Sequence, residues 1–162
     1  MSNDDTPTGV DYPSPFDERV VDLARSAARY LFILSPHLDR HAFDSPELAQ
    51  ALGDLARDSR QTEIRILIQN SRALVGRGHR LLQLARRMPS RVHIQRLEHH
   101  PEWRGQTTVI RDRDGLLFKP GDSETEAFYY PESKVVVQPH LEVFEDLWRY
   151  STQDPELRSL SL

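Results

Sequence analysis

An α/β fold, with a mainly mixed sheet flanked by helices, is what this 162-residue sequence predicts. Three observations carry the prediction. Tyr30-Leu-Phe-Ile-Leu34 is a continuous apolar run of strand length, as a central strand covered on both faces requires. Glu63-Ile-Arg-Ile-Leu-Ile-Gln69 reads as a second strand, and Leu48, Leu52 and Leu55 between the two form a stripe with helical spacing. A further helix and strand follow, then a hairpin and a last helix, so repeated strand-helix units are completed by an antiparallel addition.

Residues 1–13 are polar, carry Pro7, Gly9 and Pro13, and read as a disordered tail. Ser14-Pro15 offers an N-cap and a proline at the first helical position, with Asp17 favourable in the first turn. Phe16, Val20, Leu23, Ala24 and Ala27 share one face, predicting a helix to about Ala28. Ser35-Pro36 stops the first strand. Asp44-Ser-Pro-Glu47 starts the next helix, which runs to about Asp58. A loop with Gly76 and Gly78 follows the second strand. The helix after it, His79 to Met88, buries Leu81, Leu82 and Ala85, and Pro89 marks its end.

Arg91 to Leu97 alternates as a third strand does. Thr107–Arg111 and Leu116–Lys119 flank the turn Arg113-Asp-Gly115, and Glu126–Tyr130 is a further strand. The last helix is expected to begin near Gln138-Pro139, with Pro139 at its first position. It presents Leu141, Phe144 and Trp148 on one side, widened by Val143, Leu147 and Tyr150. Residues 153–162 read as a flexible tail, which leaves one domain over residues 14–152.

Composition narrows the function classes. An apolar content of 38% suits a single core. The longest apolar run, Tyr30–Leu34, is far short of the ~20 residues of a membrane span. No charged n-region precedes an apolar h-region, and no cysteine is present, so disulfides, thiolate zinc sites and thiol nucleophiles are excluded. The expectation is a cytoplasmic chain. A net charge of -4 and a pI near 6.0 argue against a general nucleic-acid binder.

The charge is unevenly spread. Ile64 to Leu97 holds no Asp or Glu but eight arginines, at 65, 72, 77, 80, 86, 87, 91 and 96. Arginine forks suit phosphate and carboxylate better than lysine does. The stretch is either an anion-binding surface or a solvated face paired with acids from elsewhere in the chain.

Trp103-Arg-Gly-Gln-Thr-Thr-Val-Ile-Arg-Asp112 followed by Phe144-Glu-Asp-Leu-Trp148 resembles the second part of a phospholipase D-like repeat. There, a strand bearing His-x-Lys-x-x-x-x-Asp precedes a helix with Phe-x-x-x-Trp. Counted back from Asp112, Thr107 stands at the lysine position and Gly105 at the histidine position. The resemblance spans roughly Ala28 to Ser151. It is nearest to an uncharacterised bacterial group of phospholipase D-like domains in which segments like Leu34-Ser-Pro-His-Leu-Asp39 and Gly78-His-Arg-Leu-Leu-x-Leu-Ala-Arg86 recur. Members of that group stand alone or are joined to GNAT-type acetyltransferase domains, although no acyl-CoA loop of that fold is present here. The resemblance implies a single-repeat phospholipase D-like α/β sandwich. It also implies that no imidazole nucleophile or phosphate-holding lysine is in place for the family's chemistry. Active relatives set two repeats face to face, so a homodimer is expected.

Ligands of open α/β sheets favour loops at the carboxyl ends of strands. Ser35-Pro-His-Leu-Asp-Arg-His41 and Gly76-Arg-Gly-His-Arg80 are such loops, and the second sets two arginines and a histidine at a helix start. The alternative for that loop is a turn in which His79 caps or packs locally. The site expected to bind an anion is therefore Ser35, His37, Arg77, His79 and Arg80, with Trp103 as a possible platform. No catalytic residue is assigned. His37, His41, His99 and His100 lack the supporting carboxylate pattern of a zinc site, so neither metal nor cofactor is expected. Asp112 suits a turn. Three functions follow. The first is a non-catalytic domain that binds an anion or a partner protein. The second is a small phosphoryl-transfer or hydrolytic enzyme using His37 or His79 as base. The third is an accessory domain of an acetyltransferase encoded elsewhere.

Overall fold

Successive side chains of a strand point to opposite faces, and both faces of β2 are buried, which is why its sequence is apolar throughout. Leu31 and Ile33 enter one core with Phe16, Leu48 and Leu52, while Phe32 and Leu34 enter another with Phe144 and Leu147. The computed structural model describes residues 5–158. In chain order they form β1 (Thr8–Asp11), α1 (Phe16–Ser26), β2 (Tyr30–Leu34), α2 (Arg40–Phe43), α3 (Pro46–Asp58), β3 (Glu63–Ile68) and α4 (Arg72–Arg77). There follow α5 (Arg80–Arg87), β4 (Val92–Arg96), β5 (Thr107–Arg111), β6 (Gly115–Lys119), β7 (Glu126–Tyr130), α6 (Lys134–Tyr150) and α7 (Pro155–Arg158).

The described strands make one seven-stranded sheet, ordered β1-β7-β6-β5-β2-β3-β4. β2, β3 and β4 run parallel, whereas β5 pairs antiparallel with β2 and continues antiparallel through β6 and β7 to β1. Helices α1, α3 and α5 pack on one face and α6 on the other. The expected α/β sandwich with a mixed sheet is therefore the fold observed. No helix among the described residues is long and apolar enough to cross a membrane.

Local signals explain the elements in agreement. Ser45 Oγ accepts from the Leu48 amide at 3.1 Å and Pro46 opens α3, so the cap and proline act together. Elsewhere tertiary pairing overrides the sequence pattern. Residues 8–11 of the expected disordered tail form β1, paired from Thr8 to Asp11 with Tyr129 to Glu126; an edge strand needs only one paired side and little apolar content. Residues 1–4 lie outside the described residues.

The expected flexible tail at 153–162 instead folds as α7 over its described part. Leu157 is buried, Asp154 accepts from Ser71 Oγ at 2.8 Å, and Arg86 donates to the Leu157 and Glu156 carbonyls. The expected loop around Gly76 is the short helix α4, stopped at Gly78 with φ +76°. Helix α6 starts at Lys134, before Pro139, because Ser133 Oγ caps the Val136 amide at 3.3 Å and buries Val137. Pro139 is thus internal, and it deprives the Val135 carbonyl of an amide partner. Val135 is 69% exposed, which leaves water to satisfy that group.

Candidate functional site

The topology brings the carboxyl ends of β2, β3 and β4 and the amino end of β5 to one edge of the sheet. Ser35 leaves β2 with its amide on the Leu67 carbonyl at 3.0 Å and its Oγ accepting from the Leu38 amide at 3.0 Å. The Leu38 carbonyl meets His79 Nε2 at 3.1 Å, while His79 Nδ1 accepts from the Leu81 amide at 3.1 Å. Acceptance at Nδ1 leaves the proton on Nε2, so the ring is neutral and both nitrogens are occupied. Burial holds the pKa of His79 below the ordinary imidazole value, against the opposing pull of Asp44. His79 is therefore the N-cap of α5 and a bolt between two loops. The local-capping alternative describes it.

The Arg80 amide, at the helix start expected to face an anion, is met by a carboxylate of the chain itself. Asp44 Oδ1 accepts from the Arg80 amide at 3.0 Å and lies 3.4 Å from Arg80 Nη1; Asp44 Oδ2 lies 3.0 Å from Arg40 Nη1. Burial acts against the charged form of Asp44. The Arg80 amide and the Arg80 guanidinium outweigh it, so its pKa lies below the usual carboxylate value. Asp44 was absent from the sequence-derived site. The signal for it was its place just before a capped helix, which reads only as a helix start.

An open pocket of about 430 Å³ lies beside this bolt, lined by His37, His79, Leu38, Asp39, Arg40, His41 and Leu74, with Tyr12 and Glu124 opposite. His37 and His41 are exposed. The Tyr12 hydroxyl donates to Asp39, and burial followed by this carboxylate pushes the phenol pKa up. Lys119 Nζ stands 5.1 Å above the Tyr12 ring. Lys119 is also the direct cross-strand partner of Thr107. Sequence reasoning missed this group because Tyr12 fell in the supposed tail and Lys119 lies outside the motif spacing.

Gly105 and Thr107 lie just before and at the start of β5. Gly105 adopts φ +82°, in the left-handed region that a histidine rarely takes. Its neighbour is Gly121, where a Cβ would come within 1.9 Å of the Arg104 carbonyl oxygen. Thr107 is buried at 3% exposure. Asp112 accepts from the amides of Ala28, Arg29 and Tyr30 at 3.0, 2.8 and 3.0 Å, fastening the start of β2 to the β5-β6 turn.

Of the remaining expected site residues, Arg77 is exposed at the end of α4, and Trp103 is buried in the α6-side core with its Nε1 donating to the Gln106 carbonyl at 3.1 Å. Trp103 is thus a packing residue rather than a platform. The arginine-rich stretch is largely used internally. Arg65, Arg80 and Arg96 pair with carboxylates, while Arg86 and Arg91 donate to carbonyls. The guanidinium groups of Arg72, Arg77 and Arg87 have no partner among the described residues. His100, Glu102 and Asp146 bring three possible ligand atoms within 4.8 Å of one another. His100 Nδ1 accepts from the Glu102 amide, however, so its Nε2 carries a proton toward Asp146 at 3.6 Å instead of a lone pair for a metal.

The mixed sheet, its helices and the position of this edge define a phospholipase D-like fold. The structure is similar to Nuc from Salmonella typhimurium, a phospholipase D family member, with a TM-score of 0.66 and 16% identity over 92% of this chain and 97% of that one. NucT from Helicobacter pylori gives 0.66 and 11% over 92% and 99%. TrmBL2, an archaeal chromatin protein with a novel mode of DNA binding, gives 0.65 and 13% over 91% of this chain and 54% of that one. No curated protein matches the sequence. The family described as "Domain of unknown function (DUF7931)" matches residues 12–160, and the chain belongs to it.

Proposed function

We propose that this chain is a non-catalytic phospholipase D-like domain that acts by binding an anionic ligand or a partner protein. The observation that carries this reading is Gly105. The position of the motif's nucleophile has a backbone unsuited to a side chain, and buried Thr107 occupies the lysine position. Lys119 offers no replacement while it is held over Tyr12. Phosphodiester chemistry needs an activated nucleophile and a cation on the phosphoryl oxygens, and neither group faces the other here. Assays with bis-p-nitrophenyl phosphate and single-stranded DNA test this. The expected rate is that of buffer.

At the Gly76–Arg80 loop, the presence of Asp44 favours the partner over the anion, and a second copy of the chain is the partner we propose. Helix α6 is the helix on its face of the sheet, and the large side chains Tyr30, Phe118, Tyr130 and Trp148 remain only partly buried there. A two-fold partner on this face would bury them. Sedimentation at micromolar concentration is expected to give twice the 18.8 kDa chain mass. A monomer at tens of micromolar would rule out self-association.

A second reading rests on the pocket at His37. Two exposed imidazoles, Arg40 and the Tyr12–Asp39 pair line one cavity, as a hydrolase with displaced groups requires. Phosphodiesterase turnover abolished by His37→Ala would establish that reading in place of the first.

A further inference from the structure

We propose that the groove between α3 and α5 binds a small molecule through its phosphoryl group. The groove holds about 290 Å³, and its polar lining is Arg57, Arg80, Arg87, Gln50 and Gln83, with no carboxylate. This extends the anion-binding arm of the proposed function to a surface that shares only Arg80 with the Gly76–Arg80 loop.

Gly53 is the strongest indication. It lies buried in the middle of α3, and glycine is the poorest helix former after proline. Glycines inside packed helices commonly let a neighbouring helix approach, but that is not the use of Gly53. A Cβ built there meets the Arg57 guanidinium, at 3.1 Å from Nη2 and 3.4 Å from Nη1. The helix therefore carries an unfavourable residue at the place where a guanidinium lies down into the groove. Local rules of this kind are most often broken where function needs it.

The charges around the groove leave donors unused. Arg57 Nη2 is 3.0 Å from Asp54 Oδ1, and Gln50 Nε2 donates to the same oxygen at 2.9 Å. Both partners of that ion pair are more than half exposed, so it holds Arg57 only weakly. Arg80 directs Nη1 at the Asp44 carbonyl and carboxylate. Each guanidinium has five N–H donors, so both arginines retain several. The side chains of Arg87 and Gln83, one turn apart on α5, have no hydrogen-bond or ion-pair partner among the described residues. A phosphoryl group offers acceptors of the kind these free N–H donors need. A long polyanion is a poorer match, because the chain carries a net charge of -4 and the groove is short.

Inorganic pyrophosphate is the probe, titrated calorimetrically into the full chain and into Arg57→Ala, Arg87→Ala, Gly53→Ala and Arg77→Ala. The proposal expects saturable 1:1 binding by the wild type, weakened at least about tenfold by each of the two groove-arginine changes. Arg77→Ala should bind as the wild type does. Gly53→Ala gives a signature that a folding defect cannot imitate. The added methyl makes the Arg57 guanidinium give by a few tenths of an ångström and so weakens binding, while better helix propensity raises the Tm by about 2 °C. Because binding alone is read, these results do not depend on whether the chain hydrolyses phosphodiesters or dimerises. Absence of pyrophosphate binding up to millimolar concentration overturns the proposal. So does binding that Arg77→Ala abolishes while Arg57→Ala and Arg87→Ala leave it intact, which would return the site to the loop. Tighter binding of a single-stranded DNA oligonucleotide through the same arginines would overturn the small-molecule assignment.

Discussion

Asp112 shows how one carboxylate fastens two distant parts of the fold. Its carboxylate takes three consecutive amides at the entry to β2, joining residues more than eighty apart in sequence. Hydrogen bonds to a charged group are the stronger kind, and Asp112→Ala leaves three amides to be met by water at best. We expect Asp112→Ala to cost about 2–3 kcal/mol in urea unfolding and Asp112→Asn less, since an amide oxygen still accepts. Equal stability of all three proteins would contradict this assignment. Burial lowers the pKa of His140, which adds to the pH dependence in the same direction as His79 and Asp44. His79 and Asp44 have folded pKa values below their ordinary ones, 6.5 and 3.8, so the folded state binds fewer protons than the unfolded chain. The contribution of His79 is complete above about pH 6.5 and is lost as pH falls through its lowered value; that of Asp44 is lost in the same direction below about pH 4. The urea midpoint should therefore decline from pH 7 to pH 5, and His79→Asn, which preserves a capping side chain, should flatten that decline. A wild-type midpoint that does not change over this range would refute the buried neutral imidazole.

Elements whose identity is written in apolar spacing were readable from sequence, and those fixed by a distant partner were not. β2, β3 and α3 announce themselves because each buries a continuous run or stripe, and α3 adds a side-chain cap and an N-terminal proline. β1 has only Val10 to bury and exists through its pairing with β7, while α7 is held by Leu157 and by donors from Arg86. Helix α6 misled for a different reason. Proline is a good first residue of a helix, so Pro139 marked the expected start, yet the Ser133 cap lies six residues earlier. An internal proline here should be a local cost. Pro139→Ala restores an amide opposite the Val135 carbonyl and is expected to stabilise by about 1–3 kcal/mol. That corresponds to about 2–4 °C in Tm for each kcal/mol in a chain of this size. An unchanged or lower Tm would mean that the first turns of α6 are adapted to the proline. The candidate site was partly readable in the same sense. The loops at Ser35–His41 and His79–Arg80 do meet, but Ser35 and His79 support the junction, and the carboxylate completing it, Asp44, had no motif to mark it.

The whole molecule has a phospholipase D-like fold, with Gly105 at φ +82° just before β5 and Thr107 buried at its start. Its arginine-rich stretch, which in isolation suggests a polyanion partner, is mostly tied to acids and carbonyls of the same chain. This agrees with the acidic overall balance and directs attention to local surfaces: the α6 face for a second copy and the α3–α5 groove for a phosphoryl group. The pocket holding His37, His41 and Tyr12 is the place the alternative, hydrolytic proposal assigns to chemistry. The most direct measurement is the hydrolysis of bis-p-nitrophenyl phosphate and single-stranded DNA by highly purified chain, alongside His37→Ala and Lys119→Ala. The account predicts that all three proteins release product at the rate of buffer alone. Wild-type turnover that either substitution removes would contradict it, and would make the protein a phosphodiesterase with a relocated active site.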